Sequence, residues 1–164
     1  MKLTIDRNAL MRALSHVQAV VERRNTIPIL SNILMVAEGE RLSLTATDLD
    51  IEATDAAVAS VKKAGAVTAP AQTLFDVVRK LPEGSEISLD LSEGRLSISS
   101  GRSKFALPTL PASDFQTMAK EAAPTRFEMD AAELRRLIDK TRFAISTEET
   151  RYYLNGIYLH HAKG

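Results

Sequence analysis

The sequence predicts an α+β fold in which strands form an antiparallel sheet and two helices cover one of its faces. Three observations support this prediction: apolar residues spaced as on a helix near the N-terminus, strict alternation of polar and apolar residues farther on, and a pattern that recurs late in the chain. Because two helices cannot cover both faces of a sheet evenly, we expect the other face to meet water.

The first helix is predicted to start after Asp6, an N-cap residue, and to run to about Arg23. Its apolar face consists of residues at steps of four, three and four: Leu10, Leu14, Val17 and Val21. With Leu14 set at 0° and about 100° per residue, three basic side chains fall near 160°, 180° and 200°, namely Arg12, Arg23 and His16. These side chains therefore oppose the apolar face.

The remaining elements are predicted from alternation and turn residues. Residues 29–37 and 42–47 flank a turn at Gly39, which is the pattern of a hairpin. A second helix should occupy residues 72–81 and end before Pro82. Further strands are expected at residues 51–61, 66–70, 86–91, 95–99 and 104–107.

A strand, cap and helix pattern occurs twice, and the second occurrence begins 124 residues after the first. Leu3, Ile5, Asp6, Leu10 and Leu14 correspond to Phe127, Met129, Asp130, Leu134 and Ile138. The ordered series indicates an internal duplication. We therefore expect a complete first domain at residues 1–120, a linker at 121–125 and the start of a second domain at 126–164, in which residues 151–160 form a strand.

Composition excludes several classes of protein. The absence of cysteine excludes disulfides, thiolate zinc sites and cysteine nucleophiles, and it is typical of a reducing compartment. The chain has no apolar run near the roughly 18 residues of a membrane span, and its first residues lack the apolar core of a signal peptide. We therefore expect a cytoplasmic protein that is not inserted in a membrane.

The net charge of the chain is zero, but charge is distributed unevenly along it. Residues 7–24 contain four arginines and one glutamate, residues 133–142 contain four basic and two acidic side chains, and residues 38–60 contain six carboxylates and one arginine. Helices are thus predicted to be basic and strands acidic. A helix face with spaced basic residues and no base-reading cluster favours phosphate contact without sequence readout.

Two other classes of function remain open from the residues alone. Asp48, Asp50 and Glu52 would share one strand face, where their oxygens could hold Mg²⁺ in a nuclease, although a solvated strand face is the more ordinary interpretation. His160 and His161 point to opposite faces of a strand and so cannot bind one zinc ion. The second class is a plain protein-interaction domain. No cofactor or metal is expected.

Several segments, in order, resemble the bacterial DNA polymerase III beta subunit, the sliding clamp family: residues 1–7, 28–32, 42–52, 81–84, 99–105, 109–115 and 151–156. The resemblance implies a DNA-clamp fold with three such domains per chain, two chains closing a homodimeric ring. It also implies a processivity factor of DNA replication without catalysis of its own, an accessory subunit of the DNA-directed DNA polymerase III holoenzyme. The implied partners are double-stranded DNA, the polymerase III alpha subunit and the clamp loader.

The resemblance also implies three sets of site residues. Arg24 matches a DNA-contacting arginine of the family, and with the basic helix faces it extends the candidate DNA-binding set to Arg12, His16, Arg23, Gln72, Arg136 and Glu148. The edge that pairs with the other chain of the dimer would contain Arg102, Lys104, Phe105 and Leu107. The rim of the pocket for partner peptides would contain Arg151, Tyr152 and Leu154. Glu148 lies in the loop that corresponds to a second DNA-contacting loop of the family.

Overall fold

The computed structural model describes residues 1–21, 27–118 and 127–160. The chain forms two compact units, Met1–Ala119 and Lys120–Gly164. Arg23, Arg24 and the expected linker at residues 121–125 lie outside the described residues. Within the described ranges, no helix is both long and apolar enough to cross a membrane.

The first unit contains nine strands and two α-helices among its described residues. In chain order they are β1 (Lys2–Asp6), α1 (Arg7–Gln18), β2 (Asn32–Glu38), β3 (Arg41–Thr47), β4 (Glu52–Val58), β5 (Ser60–Lys63), β6 (Gly65–Pro70), α2 (Ala71–Lys80), β7 (Glu86–Ser92), β8 (Arg95–Ser100) and β9 (Ser103–Pro108). All strand pairs are antiparallel. The predicted α+β class is confirmed.

The strands form two sheets, so the expectation of a single sheet is wrong. One sheet has the order β5-β1-β7-β8-β9 and the other the order β4-β3-β2-β6. In the register of these sheets, apolar residues pair with apolar residues, such as Leu3 with Leu89 and Met35 with Leu44. One apolar core joins both sheets and both helices. The second sheet covers apolar surface that a single sheet would have left exposed to water.

The chain passes from one sheet to the other at Ala59. The sequence predicted a continuous strand over residues 51–61, but β4 ends at Val58 and β5 begins at Ser60. Ala59 itself is buried, and its N–H donates to the Glu40 carbonyl at 2.9 Å. The less regular alternation of this segment thus reflects a crossing between two sheets.

Two further boundaries differ from prediction. α1 ends at Gln18 instead of Arg23, because the N–H groups of Val20 and Val21 bond to carbonyls only three residues back, and two successive β-branched residues favour such an ending. The strand expected from residue 29 begins at Asn32. Pro28 fixes its own φ and starts a short 3₁₀ helix, Pro28–Ser31, in front of that strand.

The second unit contains one α-helix among its described residues, α3 (Ala131–Thr141), followed by 3₁₀ turns at Arg142–Ala144 and Glu149–Leu154. The strand expected over residues 151–160 is absent, as is the one at residues 127–129. A strand needs a neighbouring strand for its N–H and C=O groups, and the described part of this unit contains none. Residues 151–154 instead turn back, so that the Ser146 N–H donates to the Leu154 carbonyl at 2.9 Å.

Candidate nucleic-acid interface

The helices α1 and α3 begin with the same cap. The Asp6 carboxylate accepts the N–H groups of Asn8 and Ala9, both at 2.9 Å. The Asp130 carboxylate likewise accepts the N–H groups of Ala132 and Glu133 at 2.8 and 3.3 Å. Such caps satisfy N–H groups that lack partners within the helix. The cap thus fixes where each helix starts, and so which side chains face outward.

Arg12 and His16 are exposed on α1 and line an open groove between this helix and β4. The groove has a volume of about 630 Å³ and is otherwise lined mainly by alanines and by residues 54–58. His16 Nδ1 lies 2.6 Å from Asp55 Oδ2 of β4. The structure thus places a carboxylate of the sheet directly beside the basic side of the helix.

The hydrogen bond from His16 holds the pKa of the Asp55 carboxyl below its ordinary value of 3.8. The Ala56 N–H, which donates to Asp55 Oδ1 at 2.7 Å, lowers this pKa as well. Burial opposes the two hydrogen bonds with a smaller effect, and the charges of His16 and Arg12 lower the pKa by still less. Asp55 therefore stays ionised to lower pH than an isolated aspartate.

This lowered pKa predicts a loss of stability in acid. A carboxyl whose pKa is depressed in the folded state stabilises the fold above its unfolded value, about 3.9, and loses that contribution as pH falls through the folded value. The difference in unfolding free energy between wild type and Asp55→Asn should therefore shrink as pH falls below about 4. Urea unfolding at pH 3 and pH 5 measures it; an equal difference at both pH values would contradict the prediction.

Gln72 lies on the other flank of α1. Its side chain accepts a hydrogen bond from Gln18 at 2.9 Å and donates one to Asp76 at 3.0 Å. It borders a cavity of about 410 Å³ between the end of α1 and the first turn of α2, which Ser15 and Ser31 also line. The lining of this cavity mixes polar and apolar side chains and contains no charged one, in contrast to the groove at Asp55.

In the second unit, the described arginines are paired with acidic side chains nearby in the chain. Arg136 binds Glu133, and this bond lowers the pKa of Glu133 and raises that of Arg136. Glu148 contacts Arg151 at 2.9 Å. Exposed pairs of this kind contribute about 0–1 kcal/mol. Their partners are therefore easily exchanged for another anion.

Arg7 does not belong to the basic surface, although the sequence analysis counted it there. It is buried, and its guanidinium donates to the carbonyls of Val78 and Arg79 at 3.1 and 2.8 Å. These carbonyls belong to the last turn of α2, where a cation also favours the helix dipole. With Leu14 at 0°, Arg7 falls near 20°, within the apolar face. This angle was the signal that could have identified its role.

The three acidic residues that the sequence analysis placed on one strand face lie mainly in a hairpin turn. Asp48 and Asp50 lie between β3 and β4, in a turn where Asp48 Oδ1 accepts the N–H groups of Asp50 and Ile51 at 2.9 and 2.7 Å. Glu52 accepts the Met118 N–H at 2.8 Å. The expectation that these carboxylates share one strand face is wrong. Over the described residues, no group of three or more acidic, histidine or cysteine side chains could hold a metal ion.

The residues predicted for the dimer edge lie at or before β9, an outer strand of the five-stranded sheet. Arg102 occupies the turn before it, and Lys104 and Phe105 are exposed. Leu107 is only 6% exposed and belongs to the core. Its side chain therefore stabilises the first unit, and only its backbone is available at this edge.

The residues predicted for the pocket rim lie in the 3₁₀ turn Glu149–Leu154. Arg151, Tyr152 and Leu154 are all exposed, and the ring of Tyr152 meets that of Tyr153 edge to face, with centroids 5.7 Å apart. Their role stays a prediction.

The sequence analysis missed Asp55 as a partner of His16. The two residues are 39 positions apart, and no periodicity links them. Only the packing of α1 beside β4 brings them together.

Two family models match the chain: DNA polymerase III beta subunit, N-terminal domain, over residues 1–119, and the central domain of the same subunit over residues 128–164. The beta sliding clamp of Caulobacter vibrioides NA1000 is 62% identical over 98% of this chain, and that of Escherichia coli K12 is 42% identical over 96%. The chain spans 44% and 43% of these relatives, less than half of their length.

Solved structures are similar as well. A structure of Caulobacter crescentus pol III beta has 61% sequence identity and a TM-score of 0.95, covering 99% of this chain and 44% of that one. A structure of the DNA polymerase III subunit beta from Pseudomonas aeruginosa has 44% identity and a TM-score of 0.89, covering 95% of this chain and 43% of that one.

Proposed function

The chain belongs to the family of the DNA polymerase III beta subunit, and we propose on this basis that it acts in DNA replication as part of a sliding clamp. Such a clamp is a processivity factor without catalysis of its own, which encircles duplex DNA and holds DNA polymerase III on it. The observation that supports the proposal most directly is the match of two successive domains of one subunit, in order, over residues 1–119 and 128–164.

The geometry of α1 fits contact with DNA that slides. A sliding protein must break each phosphate contact as it moves, so no single contact can be strong. Arg12 and His16 are exposed at the outer side of the helix, and His16 already has an anionic partner in Asp55. Contacts of this kind are exchangeable and independent of base sequence.

The nuclease alternative has no support in this geometry. The carboxylates Asp48 and Asp50 accept or flank backbone hydrogen bonds of a hairpin turn, and Glu52 is bonded to Met118. A plain protein-interaction domain is distinguished by the salt dependence of DNA binding, as described below.

We further propose the assignment of site residues that follows from the basic helix faces and the family resemblance. Contact with DNA would involve Arg12, His16, Arg23, Arg24, Gln72 and Arg136, with Glu148 at the neighbouring loop. The backbone edge of β9, with Arg102, Lys104 and Phe105, would pair with the other chain of a homodimeric ring. Arg151, Tyr152 and Leu154 would border the site for peptides of the polymerase alpha subunit and the clamp loader, and the protein would act in the cytoplasm.

The proposal predicts weak, salt-sensitive and sequence-independent binding of the 164-residue chain to duplex DNA. Dissociation constants of about 10⁻⁴–10⁻⁶ M are typical of nonspecific binding at physiological salt. In Arg12→Gln, the slope of log K against log[salt] should become shallower by about 0.9, because one phosphate contact is lost. Fluorescence anisotropy with two labelled 30-base-pair duplexes of different sequence, titrated at several salt concentrations, measures both quantities.

Arg95→Gln is the matched control for this prediction. Arg95 is an exposed arginine of β8, and the substitution removes the same charge from the five-stranded sheet. It should leave the slope unchanged. A salt-resistant, submicromolar complex with linear DNA would contradict the proposal, as would binding that is independent of salt or equal losses in both variants.

A further inference from the structure

Asp55 is the one carboxylate among the described residues that lies in the middle of β4, and it faces the basic side of α1. Both of its oxygens are engaged: Oδ2 lies 2.6 Å from His16 Nδ1, and Oδ1 accepts the Ala56 N–H at 2.7 Å. Two bonds in different directions fix the orientation of the carboxylate. Asp55 is thus held at the groove between α1 and β4 and does not extend freely into water.

The charges around Asp55 come from two sides. On the α1 side, Arg12 and His16 line the same groove. On the other side, Asp55 borders a second depression with Glu38, Glu40 and Arg41 of the β2–β3 hairpin. The acidic groups of that hairpin outnumber its arginine. Among the described residues, the basic side chains that line this groove are Arg12 and His16, and Asp55 contacts His16 directly.

We propose that Asp55 is an intramolecular competitor of DNA phosphate on α1, and thereby a residue that limits the strength of the DNA contact. The inference rests on the proposed function. A phosphate that approaches His16 must replace a carboxylate already in contact with it. A phosphate near Arg12 also meets the negative charge of Asp55, at a distance over which salt screens only partly.

The competition has a consequence for sliding. Each exposed ion pair contributes little, about 0–1 kcal/mol, so the phosphate contact and the Asp55 contact are similar in strength. The side chains of α1 can then exchange a phosphate for Asp55 and Asp55 for the next phosphate, so that their positive charge always has an anionic partner. A residue on the sheet thus sets how readily a contact on the helix is released.

The test is Asp55→Asn in the 164-residue chain, with binding to a labelled 30-base-pair duplex followed by fluorescence anisotropy. The substitution keeps the size of the side chain and removes the competing charge. We expect binding about two- to fivefold tighter at low salt, which corresponds to the upper part of the range for one exposed ion pair. The salt slope should steepen by up to about 0.9, as for one added phosphate contact.

Asp90→Asn is the matched control, because it makes the same change of charge on β7, where Asp90 contacts Lys2 at 2.8 Å. The control should change affinity less than Asp55→Asn does. Adding Arg12→Gln and His16→Gln to Asp55→Asn should remove the gain. Circular dichroism verifies folding, and Asp55→Ser replaces Asp55→Asn if the latter does not fold.

The outcomes separate the two proposals. If wild type binds DNA with the expected salt dependence but Asp55→Asn binds no more tightly than Asp90→Asn, the competitor role is wrong and the proposed function stands. If the gain persists in the variant without Arg12 and His16, the competitor role is also wrong. If wild type shows no salt-dependent binding to DNA, both proposals fail.

Discussion

Leu10→Ala should lower the free energy of unfolding of the first unit by about 2–5 kcal/mol. Leu10 has no exposed surface and lies in the core that joins both sheets and α1. Its truncation removes apolar contacts and leaves a cavity that the surrounding strands can fill only in part. The chain contains no tryptophan, and its tyrosines lie at residues 152, 153 and 158. Urea unfolding is therefore best followed by far-ultraviolet circular dichroism.

Leu134→Ala is the matched control, because Leu134 corresponds to Leu10 in the repeated pattern. Leu134 is 37% exposed, and none of residues 127–148 and 150–160 is buried. Its truncation should change the unfolding free energy by less than about 1 kcal/mol. Similar losses in the two variants would mean that α3 packs as tightly as α1, contrary to the structure.

Arg7→Met should destabilise the first unit by about 2–4 kcal/mol, the second largest effect we expect. The substitution keeps the apolar stem but removes the donors that reach Val78 and Arg79. Two carbonyls at the end of α2 then lose a charged partner, one in a buried and one in a partly buried position. The expected result is a lower urea midpoint with an unchanged slope m.

Arg79→Met is the control for this effect. Arg79 is an exposed arginine of α2 whose guanidinium contacts Asp76 at 3.0 Å and lies 5.9 Å from the centre of the Phe75 ring. Exposed contacts of this kind contribute about 1 kcal/mol or less. If Arg7→Met were no more costly than Arg79→Met, the buried hydrogen bonds of Arg7 would not stabilise the fold.

The local elements were largely predictable because short-range rules decide them. Asp6 and Asp130 were identified as caps, and both accept N–H groups of the helix that follows. The predicted hairpin at Gly39 is confirmed, with β2 and β3 in antiparallel register. The elements that were predicted wrongly depend on partners distant in sequence. Residues 151–160 have the alternation of a strand, yet without a neighbouring strand they form a 3₁₀ turn and irregular chain.

For the candidate site, the sequence predicted the exposed basic side chains but not the residue that contacts His16. Helical spacing placed Arg12 and His16 opposite the apolar face, and both are exposed. The same spacing places Arg7 on the apolar face of the helix. The sequence analysis nevertheless counted Arg7 among the basic residues of the surface. Asp55 could not be found in this way, because its contact with His16 depends on how α1 packs beside β4.

The sequence by itself determined the class of fold, the caps and hairpins, and the resemblance to a family, because each of these depends on residues near one another in the chain. The tertiary structure decided that the strands divide into two sheets and that Arg7 is internal. It also decided that the basic side of α1 meets an anion of its own protein. The reason is physical: hydrogen bonds and charge pairs act over a few ångströms in space, and only packing brings residues 39 or 71 positions apart within that range.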